Sequence, residues 1–207
     1  MGHYIKWVIC LCLSTLGTGT KLRADQYFVV LFGSQDSVNS LTGAHTFATF
    51  VHAGGDRYDE RTISWLPASG TVCLFCPTAK GRNYSLWESV AYAKAHQAKI
   101  TRWGPYEIHK ELYDRAVLQA ERLFHGKTLY KALDQHTRPL GIAINCMHAV
   151  SDIDTDQGYL MTGTAHGNEA TRLVAKHLSH WIEDPSIVHQ EVAKDLGIAD
   201  IPTSHLD

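Results

Sequence analysis

The sequence predicts an α+β fold, a small antiparallel sheet packed against helices, in one domain. The chain has 207 residues, 44% of them hydrophobic and 19% charged, which is enough apolar material for one sizeable core. Short β-branched and aromatic runs come first, and longer runs with helical spacing follow. No repeat, low-complexity linker or block of like charge divides the chain, so neither disorder nor a second domain is indicated.

The first 24 residues are predicted to be a signal peptide. Lys6 precedes an apolar run over residues 7–16 that is too short to cross a bilayer comfortably, and a small, polar stretch then leads to Ala24. We therefore expect residues 25–207 to form a secreted or periplasmic domain; a buried first element or a retained anchor is the alternative. Cleavage would remove three basic and no acidic residues, taking the formal net charge from −2 to −5. Such a chain has no basic cluster for nucleic acid.

Strands are predicted mainly in the first half of the chain. Residues 26–32 and 45–51 are rich in β-branched and aromatic side chains, as in buried strands. Residues 54–57 predict a turn, and residues 61–66 predict the strand that returns from it. Residues 71–75 suggest a third short strand. We therefore expect residues 45–51 and 61–66 to form an antiparallel hairpin.

Helices are predicted from residue 85 onward. Ser85 and Glu88 fit a capping box, in which each satisfies a free backbone donor of the other, and the helix should end near Gln97. Pro105 suits the first turn of a longer helix over residues 106–125. Three further helices are predicted to begin near Cys146, with Asn145 as its N-cap, near Asn168 and after Ser186.

Cysteine usage points to one free thiol. Removal of the first 24 residues leaves Cys73, Cys76 and Cys146, and an odd number in an exported chain predicts a free thiol or an intermolecular bridge. Cys73 and Cys76 are three positions apart and could form a disulfide, bind a metal or simply be buried. They lack a second matching pair, so a structural zinc site is not supported and neither metal nor other cofactor is predicted. Cys146 is then the single thiol.

Cys146 is the candidate nucleophile. A reactive thiol needs a lowered pKa, a nearby base and hydrogen-bond donors for the oxyanion, and the start of a helix can supply the first and the last. His45 is the candidate base because it begins a strand among small residues. His148, two positions after Cys146, would face away from it on a helix. The role of His45 depends on that of Cys146, because a histidine alone is more often structural.

A resemblance to a known family supports this pair. The segment NCMHAV at residues 145–150, preceded by Tyr130-Lys131 and a long helix, resembles the cysteine helix of circularly permuted NlpC-like papain-fold peptidases and acyltransferases. Relatives of lecithin:retinol acyltransferase carry a similar Asn-Cys-x-His segment. In these proteins the histidine strand precedes the cysteine helix, as His45 precedes Cys146. The resemblance covers residues 44–66 and 130–150. It implies a permuted papain-like fold and a thiol hydrolase or acyltransferase that acts on amides or esters of cell-wall peptides or lipids, at the cell envelope.

The third member of the site is the weakest. The family usually has a polar residue on the next strand that orients the imidazole. Here Ser64 is the nearest polar side chain, and Glu60 is chemically stronger but lies nearer the turn. We take Cys146, His45 and Ser64 as the predicted catalytic residues; the alternative is a non-catalytic exported binding module of the same fold. A metal-dependent hydrolase would instead use His45, His52 and His166.

Strand parity predicts where the His45 side chain lies. If residues 45–51 and 61–66 pair as antiparallel neighbours, His45 shares a face with Phe47 and Val51. We expect this face to turn inward, toward the helix that carries Cys146. A buried imidazole needs a hydrogen-bond partner, and Ser64 or Glu60 are the candidates beside the thiol. A cysteine helix on the other face would make Cys146 a structural thiol.

Overall fold

The main sheet has five strands. The computed structural model describes residues 25–54, 57–156, 158–160 and 166–206, so the predicted signal peptide lies outside the described residues. All neighbouring strands of this sheet are antiparallel except the last pair, which is parallel. In spatial order the strands are β3 (Arg57–Ile63), β2 (Ala44–Gly54), β1 (Gln26–Gln35), β6 (Lys99–Glu107) and β9 (Thr203–Ser204).

A second, smaller sheet lies beside the candidate thiol. Its first two pairings are antiparallel and its last is parallel. Its last strand ends two residues before Cys146, so the sheet leads directly into the cysteine helix. The strands in spatial order are β4 (Trp65–Pro67), β5 (Ala79–Asn83), β7 (Leu129–Tyr130) and β8 (Ala143–Ile144).

Five helices accompany the sheets in the described part of the chain, which confirms the predicted α+β class. Within the same residues, no helix combines the length and apolar character needed to span a membrane. A single 3-10 turn, Ser179–Trp181, follows the fourth helix. The helices are α1 (Leu86–Ala95), α2 (Lys110–Phe124), α3 (Cys146–Ser151), α4 (Gly167–His177) and α5 (Gln190–Asp195).

The main sheet lies between two layers of helices. On one face, Leu31, Ala48 and Phe50 share a core with α2, α3 and α4. On the other face, Phe47 and Val51 share a second core with α1 and α5. Successive side chains of a strand point to opposite faces, so a strand buried on both sides must be apolar at every position. This requirement explains the uninterrupted apolar run of β1.

The placement of α3 overturns the prediction from strand parity. His45, Phe47 and Val51 do share a face, and His45 is buried as expected. That face packs on α1, however, whereas α3 packs on the face that carries Ala48 and Phe50. The prediction that His45 turns toward the cysteine helix is therefore wrong. The alternation of side chains along the strand correctly predicted which residues share a face with His45. Because β2 is apolar on both faces, however, the sequence pattern did not show which helix covers which face.

The predicted hairpin is present, but its second strand is shorter than predicted. β2 and β3 pair antiparallel from Ala48 opposite Ile63 to Gly54 opposite Arg57. The pairing stops at Ser64, because the Ser64 N–H bonds to the Asn83 side chain at 2.8 Å and the Ser64 carbonyl accepts the N–H of residue 84. The next residues form β4, which belongs to the second sheet.

Pro105 lies in a strand and not in the first turn of a helix. It is part of β6, and the following helix begins only at Lys110. The pairing of β6 with β1 shifts register between Val29 and Leu31, opposite Gly104 and Pro105. A proline has no N–H for the ladder, and an irregularity of this kind accommodates it.

Two smaller predictions also differ from the structure. Residues 71–75 form no strand; they belong to a loop closed by a disulfide between Cys73 and Cys76. Ser186 does not cap the last helix, because its hydroxyl and N–H both bond to Asp184, and α5 starts later, after His189. In both places, local turn contacts replace the regular element that the pattern predicted.

Candidate active site

Cys146 is the first residue of α3, as predicted. Asn145 caps the helix, since its side-chain oxygen accepts the His148 N–H at 2.8 Å. The thiol is free and the residue is partly exposed, not buried in a core. The position of α3 on the opposite face meets the condition stated above for a structural thiol, whereas the residue itself is partly exposed.

The thiol is protonated at rest. Desolvation raises the pKa of Cys146 above its ordinary value, and the negative charge of Asp134 raises it further. Hydrogen bonds from the N–H groups of Thr46 and Met147 act in the opposite direction, because they stabilise a thiolate. Thr46 belongs to β2, so the sulfur lies at the end of the strand that carries His45.

His45 is held by a neutral partner. Its ring is 2% exposed, and Nε2 lies 2.9 Å from the Ser64 hydroxyl. The ring stacks on Phe47 with centroids 5.4 Å apart and meets Tyr92 of α1 edge-on at 6.3 Å. Burial without a charged partner lowers the pKa of His45 from 6.5 to about 3, so the imidazole is neutral at physiological pH. Its Nδ1 atom has no hydrogen-bond partner in the structure.

Ser64 contacts His45 as predicted, and Glu60 does not. Glu60 pairs with Val51 in the hairpin, six positions along β2 from His45. The contact to Ser64 continues to Ser89 of α1, whose hydroxyl lies 2.7 Å from the Ser64 hydroxyl. Sequence reasoning missed Ser89, although a serine among apolar residues on the buried side of a helix is a recognisable signal.

Two of the three predicted residues line one cleft. Cys146 and His45 both line it, and neither makes a hydrogen bond to the other among the described contacts. The cleft has a volume of about 90 Å³, and none of the described residues that line it is a lysine or an arginine. Its walls are mainly apolar, from Leu41, Val72, Leu74, Tyr130, Leu133 and Ala170. The arrangement can therefore hold an uncharged group beside the thiol.

Asp134 and His148 complete the lining and were not predicted as site residues. Asp134 is 1% exposed, and His148 Nδ1 lies 2.7 Å and 2.9 Å from its two carboxylate oxygens. The ring of His148 thus engages a carboxylate, while its Nε2 is buried without a partner. The two residues are 14 positions apart across a turn, a spacing with no periodic signal that sequence analysis could have used.

The other candidates lie outside this group. His52 pairs with Asp25 at 3.2 Å, away from the cleft. Among the described residues there is no group of three or more His, Cys, Asp or Glu side chains placed to hold a metal ion. Of the three alternatives for Cys73 and Cys76, the structure shows the disulfide. Val72 and Leu74 in that loop form part of the cleft wall.

Comparison with known proteins identifies no relative. No family model matches the chain, and neither the curated proteins nor the solved structures give a match. The resemblance of residues 44–66 and 130–150 to the NlpC-like papain fold therefore stays a prediction from sequence.

Proposed function

We propose that this protein is a thiol hydrolase or acyltransferase that acts on an amide or ester through Cys146, with His45 as its base and Ser64 orienting the imidazole. One observation carries the proposal. A partly exposed free thiol shares a cleft with a buried histidine that is bonded to Ser64 through Nε2 and has an unpaired Nδ1. A buried nitrogen without a partner costs stability and calls for an explanation, and proton transfer to and from Nδ1 supplies one.

The proposed reaction begins from a neutral pair. As the Cys146 sulfur attacks the carbonyl carbon, Nδ1 of His45 accepts the thiol proton, and it later gives that proton to the departing amine or alcohol. The product is a thioester, which water or a second acceptor then cleaves. The N–H groups of Thr46, Cys146 and Met147, which bond to the sulfur, are the proposed donors to the developing oxyanion.

The cleft favours an apolar acyl group within the predicted substrate classes. Its walls are apolar and carry no cationic side chain, so a carboxylate or phosphate on the reacting part of the substrate would have no counter-charge. Cell-wall peptides and lipid esters both remain within the proposal. Secretion to the cell envelope is part of it as well, supported by the disulfide, because disulfides persist in oxidising compartments.

A specific observation favours the second candidate, a binding module without turnover. The cysteine helix packs on the opposite face of the sheet from the His45 side chain, and the two groups are not hydrogen-bonded. Without proton transfer, the same cleft would bind an uncharged ligand and Cys146 would only form part of its wall.

Thiol labelling together with ester turnover separates the two candidates. We expect Cys146→Ala to abolish both labelling by iodoacetamide and hydrolysis of p-nitrophenyl esters. His45→Ala should slow labelling at neutral pH by about tenfold, since the base is lost. His52→Ala is the matched control, because it removes another β2 histidine outside the cleft, and it should behave as wild type. Equal labelling of His45→Ala and wild type would favour the binding module.

A further inference from the structure

Asp134 holds residues on both sides of the candidate nucleophile. Its carboxylate accepts the backbone N–H of Asn145 at 2.9 Å and the Asn145 side-chain amide at 3.2 Å. The same carboxylate binds His148 Nδ1 at 2.7 Å. Asn145 Oδ1 in turn accepts the His148 N–H at 2.8 Å. The residues one before and two after Cys146 are therefore tied to one buried carboxylate and to each other.

The turn that carries Asp134 also holds the far end of α3. The Asp134 carbonyl accepts the N–H groups of Thr137 and Arg138, at 2.9 Å and 2.8 Å. The Arg138 guanidinium binds the carboxylate of Asp152, the C-cap of α3, with Nε at 3.1 Å from one oxygen. A helix of six residues is too short to persist alone, so its place depends on contacts such as these.

We propose that Asp134 is the positioning residue for Cys146: through Asn145 and His148 it fixes the start of α3 and so the place of the thiol in the cleft. The catalytic meaning of this role rests on the proposed function, but the contacts themselves do not. Asp134 also places a negative charge near the sulfur, and the His148 ring donates a hydrogen bond to that carboxylate.

The other titratable groups near the thiol are neutral. Tyr92 and Tyr130 interact electrostatically with Cys146, and desolvation raises the pKa of each phenol above its usual value. His45 is neutral because burial lowers its pKa. Among these groups, Asp134 supplies the negative charge near the sulfur, and His148 donates a hydrogen bond to that carboxylate. Removal of the carboxylate charge should therefore favour ionisation of Cys146, and removal of its hydrogen-bond donor should oppose it.

The test measures iodoacetamide alkylation of Cys146 against pH in wild type, Asp134→Asn and His148→Gln. Asp134→Asn keeps the size and removes the charge, so the rate at pH 7, as a fraction of the high-pH rate, should rise about threefold. Its ester turnover should fall about tenfold, because the thiol is less well placed. His148→Gln removes the ring N–H that bonds to the Asp134 carboxylate, so the alkylation rate at pH 7 should be a smaller fraction of the high-pH rate.

Asp154→Asn is the matched control. Asp154 is also a buried aspartate beside a histidine, with His180 Nε2 at 3.1 Å, but it does not line the cleft. Its replacement should lower Tm without moving the alkylation profile. An Asp134→Asn profile equal to wild type, or shifts of equal sign in Asp134→Asn and His148→Gln, would overturn the inference. Should Asp134→Asn not fold, His148→Gln decides in the same way. If wild type did not hydrolyse the ester, only the proposed function would be refuted, because the alkylation profiles still report how Asp134 positions the thiol.

Discussion

His45 and His148 line the same cleft, but they are held by different kinds of partner. His45 comes from a strand and bonds to a serine hydroxyl, whereas His148 comes from a short helix and bonds to a carboxylate. A hydroxyl can donate or accept, while an ionised carboxylate only accepts. The partner of His148 therefore fixes a proton on its Nδ1, and the partner of His45 leaves the position of its proton open. One imidazole is suited to anchoring structure and the other to moving a proton.

The largest expected effect is the loss of folding stability when Asp134, the partner of His148, is removed. Asp134→Ala should destabilise the fold by about 3 kcal/mol or more, because it leaves His148 Nδ1 and the backbone N–H of Asn145 without their acceptor. Urea unfolding followed by circular dichroism measures this loss. Asp156→Ala, which removes an exposed aspartate, is the control and should cost much less. A loss for Asp134→Ala no greater than that of the control would mean that the carboxylate does not anchor this region.

His45, which bonds to the Ser64 hydroxyl, should make the free energy of unfolding depend on pH. Burial lowers the pKa of His45 from 6.5 to about 3. Between these values the unfolded chain binds a proton that the folded chain does not, so stability falls as the pH falls through this window. Above about pH 6.5 the contribution is fully present, and its total is of the order of a few kcal/mol.

Urea unfolding of wild type and His45→Gln between pH 7 and pH 4 isolates this contribution. The wild type should lose more stability than the variant over that range, since glutamine does not titrate. Parallel curves for the two proteins would show that His45 is not kept neutral by burial. Titration of the paired carboxylates contributes equally to both curves and cancels in their difference.

The difference between the two histidines also shows what the sequence could predict. His45, Cys146 and Ser64 could be predicted as site residues because each lies at the start or end of an element with a clear pattern. The capping box at Ser85 and the helix start at Cys146 were correct for the same reason: both are signalled within four residues. Helix-capping signals of this kind can be recognised in a single sequence.

The remaining features depend on packing between distant segments. Both faces of β1 and β2 are apolar, so no pattern could assign α3 to one face and α1 to the other. Asp134 meets Asn145 and His148 only because the turn before β8 brings them together. Whether the resemblance to the NlpC-like papain fold extends beyond residues 44–66 and 130–150 stays a prediction.

The smallest effect concerns where the ring proton of His45 lies. The Ser89 hydroxyl has one proton and two acceptors, the Ser64 hydroxyl and the Ser85 carbonyl, both at 2.7 Å. If that proton goes to the Ser85 carbonyl, Ser64 can accept from His45 Nε2–H, and Nδ1 is free to act as a base. If it goes to Ser64, the Ser64 proton turns to Nε2, and the ring proton lies on Nδ1.

The proposed function requires the first arrangement. Nitrogen NMR of protein labelled with ¹⁵N-histidine should therefore show the Nε2–H form for His45, and His148 provides an internal reference because Asp134 holds a proton on its Nδ1. Ser89→Ala removes the oxygen to which Ser64 donates in the first arrangement, so the Ser64 proton should turn to Nε2 and shift His45 toward the Nδ1–H form, at a cost of about 1 kcal/mol or less in stability. An Nδ1–H signal already present in wild type would mean that the serine pair keeps His45 from acting as a base. Cys146 would then form part of a binding cleft, and the functional contrast between the two histidines would disappear.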